Sequence, residues 1–130
     1  MTDPAPAPIR VLVVEDNATF RDTLRMLFEL RPELEVVASV ESGDEAPEAC
    51  RTLRPDVVLM DYRMPGMNGA EATRAVLAAC PAARVVCLTA SVSRREIEEL
   101  EASGVVRCVM KDDGFDAIVA AVAEAAASAS

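Results

Sequence analysis

Five short, β-branched apolar runs punctuate the chain: Val11-Leu12-Val13-Val14, Leu34 to Val40, Val57-Val58-Leu59-Met60, Val85 to Leu88, and Val105 to Met110. Three of them are almost wholly apolar, as strands buried on both faces require. The second run, LEVVASV, is mixed and suits a sheet edge. Longer helical patterns fill the gaps. Phe20, Leu24, Leu27 and Phe28 recur on one helical face, and Pro32 stops that helix. Ser42 to Leu53 places Ala46, Ala49 and Leu53 on one face, with Pro47 near the first turn, where it is tolerated. Ala70 to Ala79 is an Ala-rich helix. Ser93, with Glu96 three residues later, opens the next through a capping box, with Ile97 and Leu100 facing inward. Asp112 or Asp113 is placed to cap the last helix, whose apolar positions are Phe115, Ile118, Val119 and Val122. Strands alternating with helices predict an α/β fold: a (βα)5, doubly wound parallel sheet with helices on both faces.

The remaining segments add little structure. Residues 1–8, with three prolines and no apolar run, read as a disordered leader and not as a signal or transit peptide. Residues 9–127 form one domain, and residues 128–130 read as a tail or the start of a linker. No stretch approaches the roughly 20 apolar residues of a membrane span, so a cytoplasmic location is expected.

Composition narrows the chemistry. Of 130 residues, 52% are hydrophobic, enough for a real core, but only three Phe and one Tyr contribute aromatic rings. Histidine is absent, which removes Ser-His-Asp and Cys-His catalysis and His-containing zinc sites. Thirteen basic against 22 acidic residues give a net charge of -9, which repels nucleic acid and anionic membranes and favours a divalent cation or a basic partner surface. Cys50, Cys80, Cys87 and Cys108 form no C-x-x-C pair and are expected to be reduced, buried, small hydrophobes.

Ligands of open parallel sheets bind beyond the carboxyl ends of the strands. Strand 1 ends in Glu15-Asp16, strand 3 in Asp61, strand 4 in Thr89-Ala90 and strand 5 in Lys111. Three carboxylates in one crevice repel unless a cation sits among them, and Lys111 offsets only one. An all-oxygen donor set suits Mg²⁺, which keeps open positions for a phosphoryl oxygen. A carboxylate beside that metal can act as a nucleophile and form an acyl phosphate. Thr89, Lys111 and the Ala90 backbone N–H are then the donors to the phosphoryl oxygens.

The segments DYRMPGMNG (Asp61 to Gly69), VVEDN (Val13 to Asn17), LTA (Leu88 to Ala90) and VMKDD (Val109 to Asp113) resemble, in order, the site segments of bacterial response-regulator receiver domains. The resemblance spans Ile9 to about Ala127. It implies a flavodoxin-like sheet of strand order 2-1-3-4-5. It also implies Asp61 as phospho-acceptor, Asp16 as direct Mg²⁺ ligand, Glu15 as a ligand through water and Arg63 as donor of a backbone carbonyl to the metal. Thr89 is the implied switch hydroxyl and Lys111 the phosphate-pairing ammonium. The implied partners are a sensor histidine kinase, a DNA-binding output domain following this chain, and a phosphorylation-dependent second copy. A protein of this kind assists only its own phosphorylation and dephosphorylation.

Other readings compete. Asp61 before Pro65-Gly66 could be a turn former, Glu15-Asp16-Asn17 a helix cap, and Lys111 a solvated charge. Asp56, at the other end of strand 3, reads as structural, and Arg94 to Glu101 as a solvated helix face. A haloacid-dehalogenase-type phosphatase would carry a second Asp where Arg63 stands, a docking-only module would lack a site residue, and a flavodoxin-like carrier would need a Ser/Thr/Gly-rich phosphate cradle. Three departures from the family pattern stand out: Asp112 follows Lys111 where many members have proline, Cys108 replaces an aromatic residue three before Lys111, and Arg63 occupies a variable position. The first leaves no cis-proline step there. The second points to coupling through Thr89 and the loop Ser91 to Ser93, with Cys108 a passive buried thiol.

Overall fold

The computed structural model of the chain describes residues 7–90 and 93–127. Most of the leader, the tail at 128–130, and Ser91 and Val92 of the loop assigned to the switch lie outside the described residues. The elements run β1 (Ile9–Val14), α1 (Ala18–Glu29), β2 (Leu34–Val40), α2 (Ala46–Leu53), β3 (Val57–Asp61), α3 (Gly69–Ala79), β4 (Arg84–Thr89), α4 (Arg94–Ser103), β5 (Arg107–Met110), a 3₁₀ turn (Lys111–Asp113) and α5 (Phe115–Ala127). All strands pair in parallel in the order 2-1-3-4-5. Among the described residues no helix is long and apolar enough to cross a membrane.

Strand side chains alternate between the two faces, and each face feeds its own core. Val11, Val13, Val57 and Leu59 pack with Leu24 and Phe28 of α1 and with Ile118 and Val122 of α5. Leu12, Val14, Val58 and Met60 pack on the opposite face with Cys50 of α2 and Ala72 and Val76 of α3. Both faces of Val11–Val14 in β1 and of Val57–Met60 in β3 are therefore dry, which is why those stretches carry no polar residue. A smaller cluster joins Tyr62, Ala70 of α3, Cys87 of β4 and Leu100 of α4.

Four local expectations change. The helix expected from Ser42 starts at Ala46. A start at Ser42 would place Pro47 beyond the first turn, where its missing N–H breaks the ladder; a start at Ala46 keeps it harmless. Residues 41–45 instead form a turn in which the Glu45 carboxylate accepts from the Glu41 N–H and the Ser42 hydroxyl, each at 3.2 Å. Neither Asp112 nor Asp113 caps α5. Asp113 turns back to accept from the Met110 N–H at 3.3 Å and closes the 3₁₀ turn, and Gly114 at φ 94° redirects the chain before Phe115. The last strand is four residues long, not six, and Val106 is 43% exposed. It lies at the sheet edge, where α5 covers one face through Val109. For the same reason Cys108 is exposed, contrary to the expectation of a buried thiol; Cys50 and Cys87 are buried, and Cys80 is half-buried.

Candidate functional site

The carboxyl ends of β1, β3 and β5 bring Glu15, Asp61 and Lys111 into contact. Glu15 and Asp61 are buried, at 1% and 4% exposure. The Lys111 ammonium lies 3.0 Å from Glu15 Oε1 and 3.3 Å from Asp61 Oδ1. One carboxylate oxygen each from Glu15, Asp16 and Asp61 falls within 4.8 Å of the others, a set able to hold a metal ion. Asp16 is exposed at the mouth of the pocket.

Local structure explains how these groups are presented. Asn17 caps α1, its Oδ1 accepting from the Phe20 N–H at 2.9 Å. Glu15 and Asp16 are thereby released from capping. The second Glu15 oxygen accepts from the Asn17 N–H at 3.1 Å, and the Glu15 carbonyl accepts from Arg21 at 2.8 Å. Asp61 is the last residue of β3 and pairs with Leu88, so Thr89 follows one step beyond on β4. Thr89 is buried, with 1% exposure, and Ala90 behind it is exposed. The structure thus puts Asp61, Thr89 and Lys111 at the ends of β3, β4 and β5, which are neighbours in the strand order that the family resemblance implied.

The electrostatics follow from burial. Loss of water around Asp61, reinforced by the Glu15 charge and hydrogen bond, pushes its carboxyl up to about 7, against the pull of Lys111. For Lys111, burial works to lower the ammonium, but the hydrogen bond to Glu15 and the charges of Asp61 and Glu15 outweigh it and hold it above its usual range. One ammonium serves two buried carboxylates, with a third at the mouth. These three oxygen donors are of the kind that could hold a hard dication such as Mg²⁺.

Sequence patterning missed three contributors. Phe20 packs against the core as its helical position predicts, and its ring also lies under Lys111, 4.3 Å from the ammonium. Arg63, considered for its carbonyl, also sends its guanidinium to Glu96 of α4 at 3.2 Å. Asn68 both caps α3 and donates to Glu99 at 3.3 Å. The acidic face of α4 is therefore tied to the loop after Asp61 and is not purely solvated. No spacing rule signals these contacts, because each joins elements far apart in sequence.

Gly69 marks the tightest point of that loop. Its N–H donates to the Tyr62 carbonyl at 2.7 Å, and a Cβ there would lie 2.8 Å from both the Asp61 carbonyl oxygen and Tyr62 Cα. Backbone cannot swing aside as a flexible side chain can. Gly69→Ala is therefore expected to cost about 1–3 kcal/mol, as overpacking does, and to displace Asp61. Urea unfolding and Mg²⁺ titration check this; unchanged stability together with unchanged metal affinity would show that α3 relaxes freely.

Comparison with known proteins adds the following. A family described as "Response regulator receiver domain" matches residues 11–123. A transcriptional regulatory protein of Bacillus subtilis, LnrK, is 38% identical over 114 residues, covering 88% of this chain and 52% of that protein. A protein-glutamate methylesterase/protein-glutamine glutaminase of Idiomarina loihiensis is 38% identical over 96 residues, covering 72% of this chain and 25% of that protein. Among solved structures, the signal receiver domain of the response regulator NarL from Mycobacterium tuberculosis superposes with a TM-score of 0.89 at 32% identity, covering 95% of this chain and 99% of that one. The chain thus spans about half the length of the first of these curated relatives and a quarter of the second.

Proposed function

Because the chain belongs to the response regulator receiver domain family, we propose that it accepts a phosphoryl group on Asp61 from the phosphohistidine of a partner kinase. The observation that carries this reading is the buried contact of Asp61 with Lys111 and Glu15, with the oxygen of Asp16 alongside. An Asp61 oxygen attacks phosphorus, the O–P bond forms, and the donor P–N bond breaks with imidazole leaving. Lys111 pairs with the arriving phosphoryl charge, and the Thr89 hydroxyl and Ala90 N–H donate to its oxygens. Asp16, Asp61, the Arg63 carbonyl and, through water, Glu15 would hold Mg²⁺. Bound there, Mg²⁺ supplies the positive charge that lets the carboxylates ionise together and offsets the phosphoryl charge. The switch couples this event to a partner or to an output domain lying outside this chain. The relatives' names attach similar segments to a transcriptional regulator and to a methylesterase, so the receiver supports either kind of output.

Incubation with acetyl phosphate and Mg²⁺ is expected to give one base-labile adduct on Asp61, absent in Asp61→Asn and after chelation of the metal. Intact-mass and peptide mapping read it out. An adduct that persists in Asp61→Asn refutes the assignment.

A further inference from the structure

The four cysteines stand as two thiol neighbours: Cys50 with Cys80, and Cys87 with Cys108. The pairs differ in access. Cys50 is buried, and burial together with its hydrogen bond to Cys80 pushes its thiol up to about 12, so it remains protonated. Cys87 and Cys108 sit directly opposite each other in the β4–β5 ladder, Cys87 fully buried and Cys108 exposed on the edge strand. We propose that Cys108 is a site of two-electron oxidation by a hydroperoxide, and that Cys87 resolves the product into a reversible disulfide joining β4 to β5.

The register places the two residues side by side, and the bond forms when the strands draw their Cβ atoms to within about 4.5 Å. Paired residues of neighbouring strands lie about 4.8 Å apart and project to the same side of the sheet. Disulfides span Cα separations of roughly 4.4–6.8 Å. The environment also divides the labour between the two sulfurs. The Cys87 S–H donates to the Cys108 sulfur and holds the Cys108 thiol below its ordinary value, against opposing effects of burial and of Glu101. Cys108 is then the nucleophile: exposed on the edge strand and paired with a second thiol. Cys87 is held up by its hydrogen bond to Cys108, then by burial and the Cys108 charge. The Asp61 charge holds it up as well, so Cys87 stays protonated at rest and reacts only once oxidation places an electrophilic sulfur beside it.

The steps balance. The Cys108 thiolate attacks one peroxide oxygen, the O–O bond breaks, and the departing oxygen takes a proton and leaves as water or an alcohol. Cys108 becomes a sulfenic acid. The Cys87 sulfur attacks the Cys108 sulfur, the S–S bond forms, and hydroxide leaves with the Cys87 proton as water. Two thiols lose two electrons and one peroxide gains them. The link would clamp together the strands that end in Thr89 and Lys111. The inference stands apart from phosphorylation, and its test does not use it.

The test treats the reduced chain with one equivalent of hydrogen peroxide near neutral pH, blocks remaining thiols, and maps the peptides. The expected product is two hydrogens lighter, carries a single Cys87–Cys108 link, and is reversed by dithiothreitol. Cys108→Ser, at an exposed position, should abolish it. Cys87→Ala, with circular dichroism confirming its fold, should leave a Cys108 sulfenic acid that dimedone captures. In the untreated protein, iodoacetamide should label Cys108 at least roughly tenfold faster than Cys50. A link between Cys50 and Cys80, a lighter product that survives in Cys108→Ser, or Cys108 passing to sulfinic acid without any link overturns the proposal.

Discussion

Asp61→Asn is expected to stabilise the metal-free protein by about 2–4 kcal/mol at about pH 8, while abolishing its phosphorylation. The reason is the raised Asp61 carboxyl, moved from 3.8 in the free side chain to about 7 by burial and by Glu15. In the unfolded chain this group loses its proton near 3.8, whereas the folded chain keeps it until about 7. Between those values the folded state binds more protons, so stability falls as pH rises. The penalty is absent below the lower value and complete above the upper one. Asparagine has no proton to lose and escapes it. Urea unfolding in EDTA at about pH 4.5 and about pH 8 should therefore show a small gap between variant and wild type at the lower pH and a large one at the higher. An equal gap at both would mean that Asp61 does not titrate abnormally. Mg²⁺ should reverse the ranking at the higher pH, because it stabilises the folded wild type by RT ln(1 + [L]/Kd) and binds the variant weakly.

Lys111→Met should act in the opposite direction. Lys111 is the ammonium in contact with Glu15 and Asp61, both nearly fully buried. Removing one partner of a buried ionic cluster strands the others, at a typical cost of about 3 kcal/mol or more. Methionine keeps an apolar stem over the Phe20 ring, so the loss reads charge and not packing. Lys111 itself is held above its usual range, so its contribution is fully present below the unfolded value and is lost only as pH rises through the folded one. It is therefore charged in both states at mildly acidic and mildly basic pH. Any pH dependence of the defect must come from the carboxylates. The cost should be largest at about pH 8 and smaller at about pH 5, where Asp61 takes up a proton and relieves the pocket. In an Asp61→Asn background the cost should shrink by about 1–2 kcal/mol, since the two residues touch. A cost that is additive across the double variant would contradict direct coupling between Lys111 and Asp61.

The alternation of apolar runs with helical faces was enough to predict five strands and five helices, because period and burial are local properties of the chain. Two caps were legible for the same reason, Asn17 and the Ser93–Glu96 box, which act within one helical turn; the Asn68 cap and the turn that takes Asp113 away from α5 were not. Reading the last residue of each strand brought out Glu15, Asp16, Asp61, Thr89 and Lys111, since a parallel sheet delivers all its carboxyl ends to one edge. The strand order came from family resemblance, because alternation alone does not say which strand pairs with which.

Tertiary structure decided what non-local contact controls. An apolar run such as Val105 to Met110 does not reveal how many of its faces will be covered; the edge position left Val106 and Cys108 exposed. Phe20 looked like any core position until the fold carried Lys111 over its ring. The abnormal Asp61 carboxyl arises only because residues 46 positions apart are buried side by side with Lys111 as their shared counter-charge. Charge in a pocket depends on desolvation and distance, and both are set when distant segments pack, not by the residues' order along the chain.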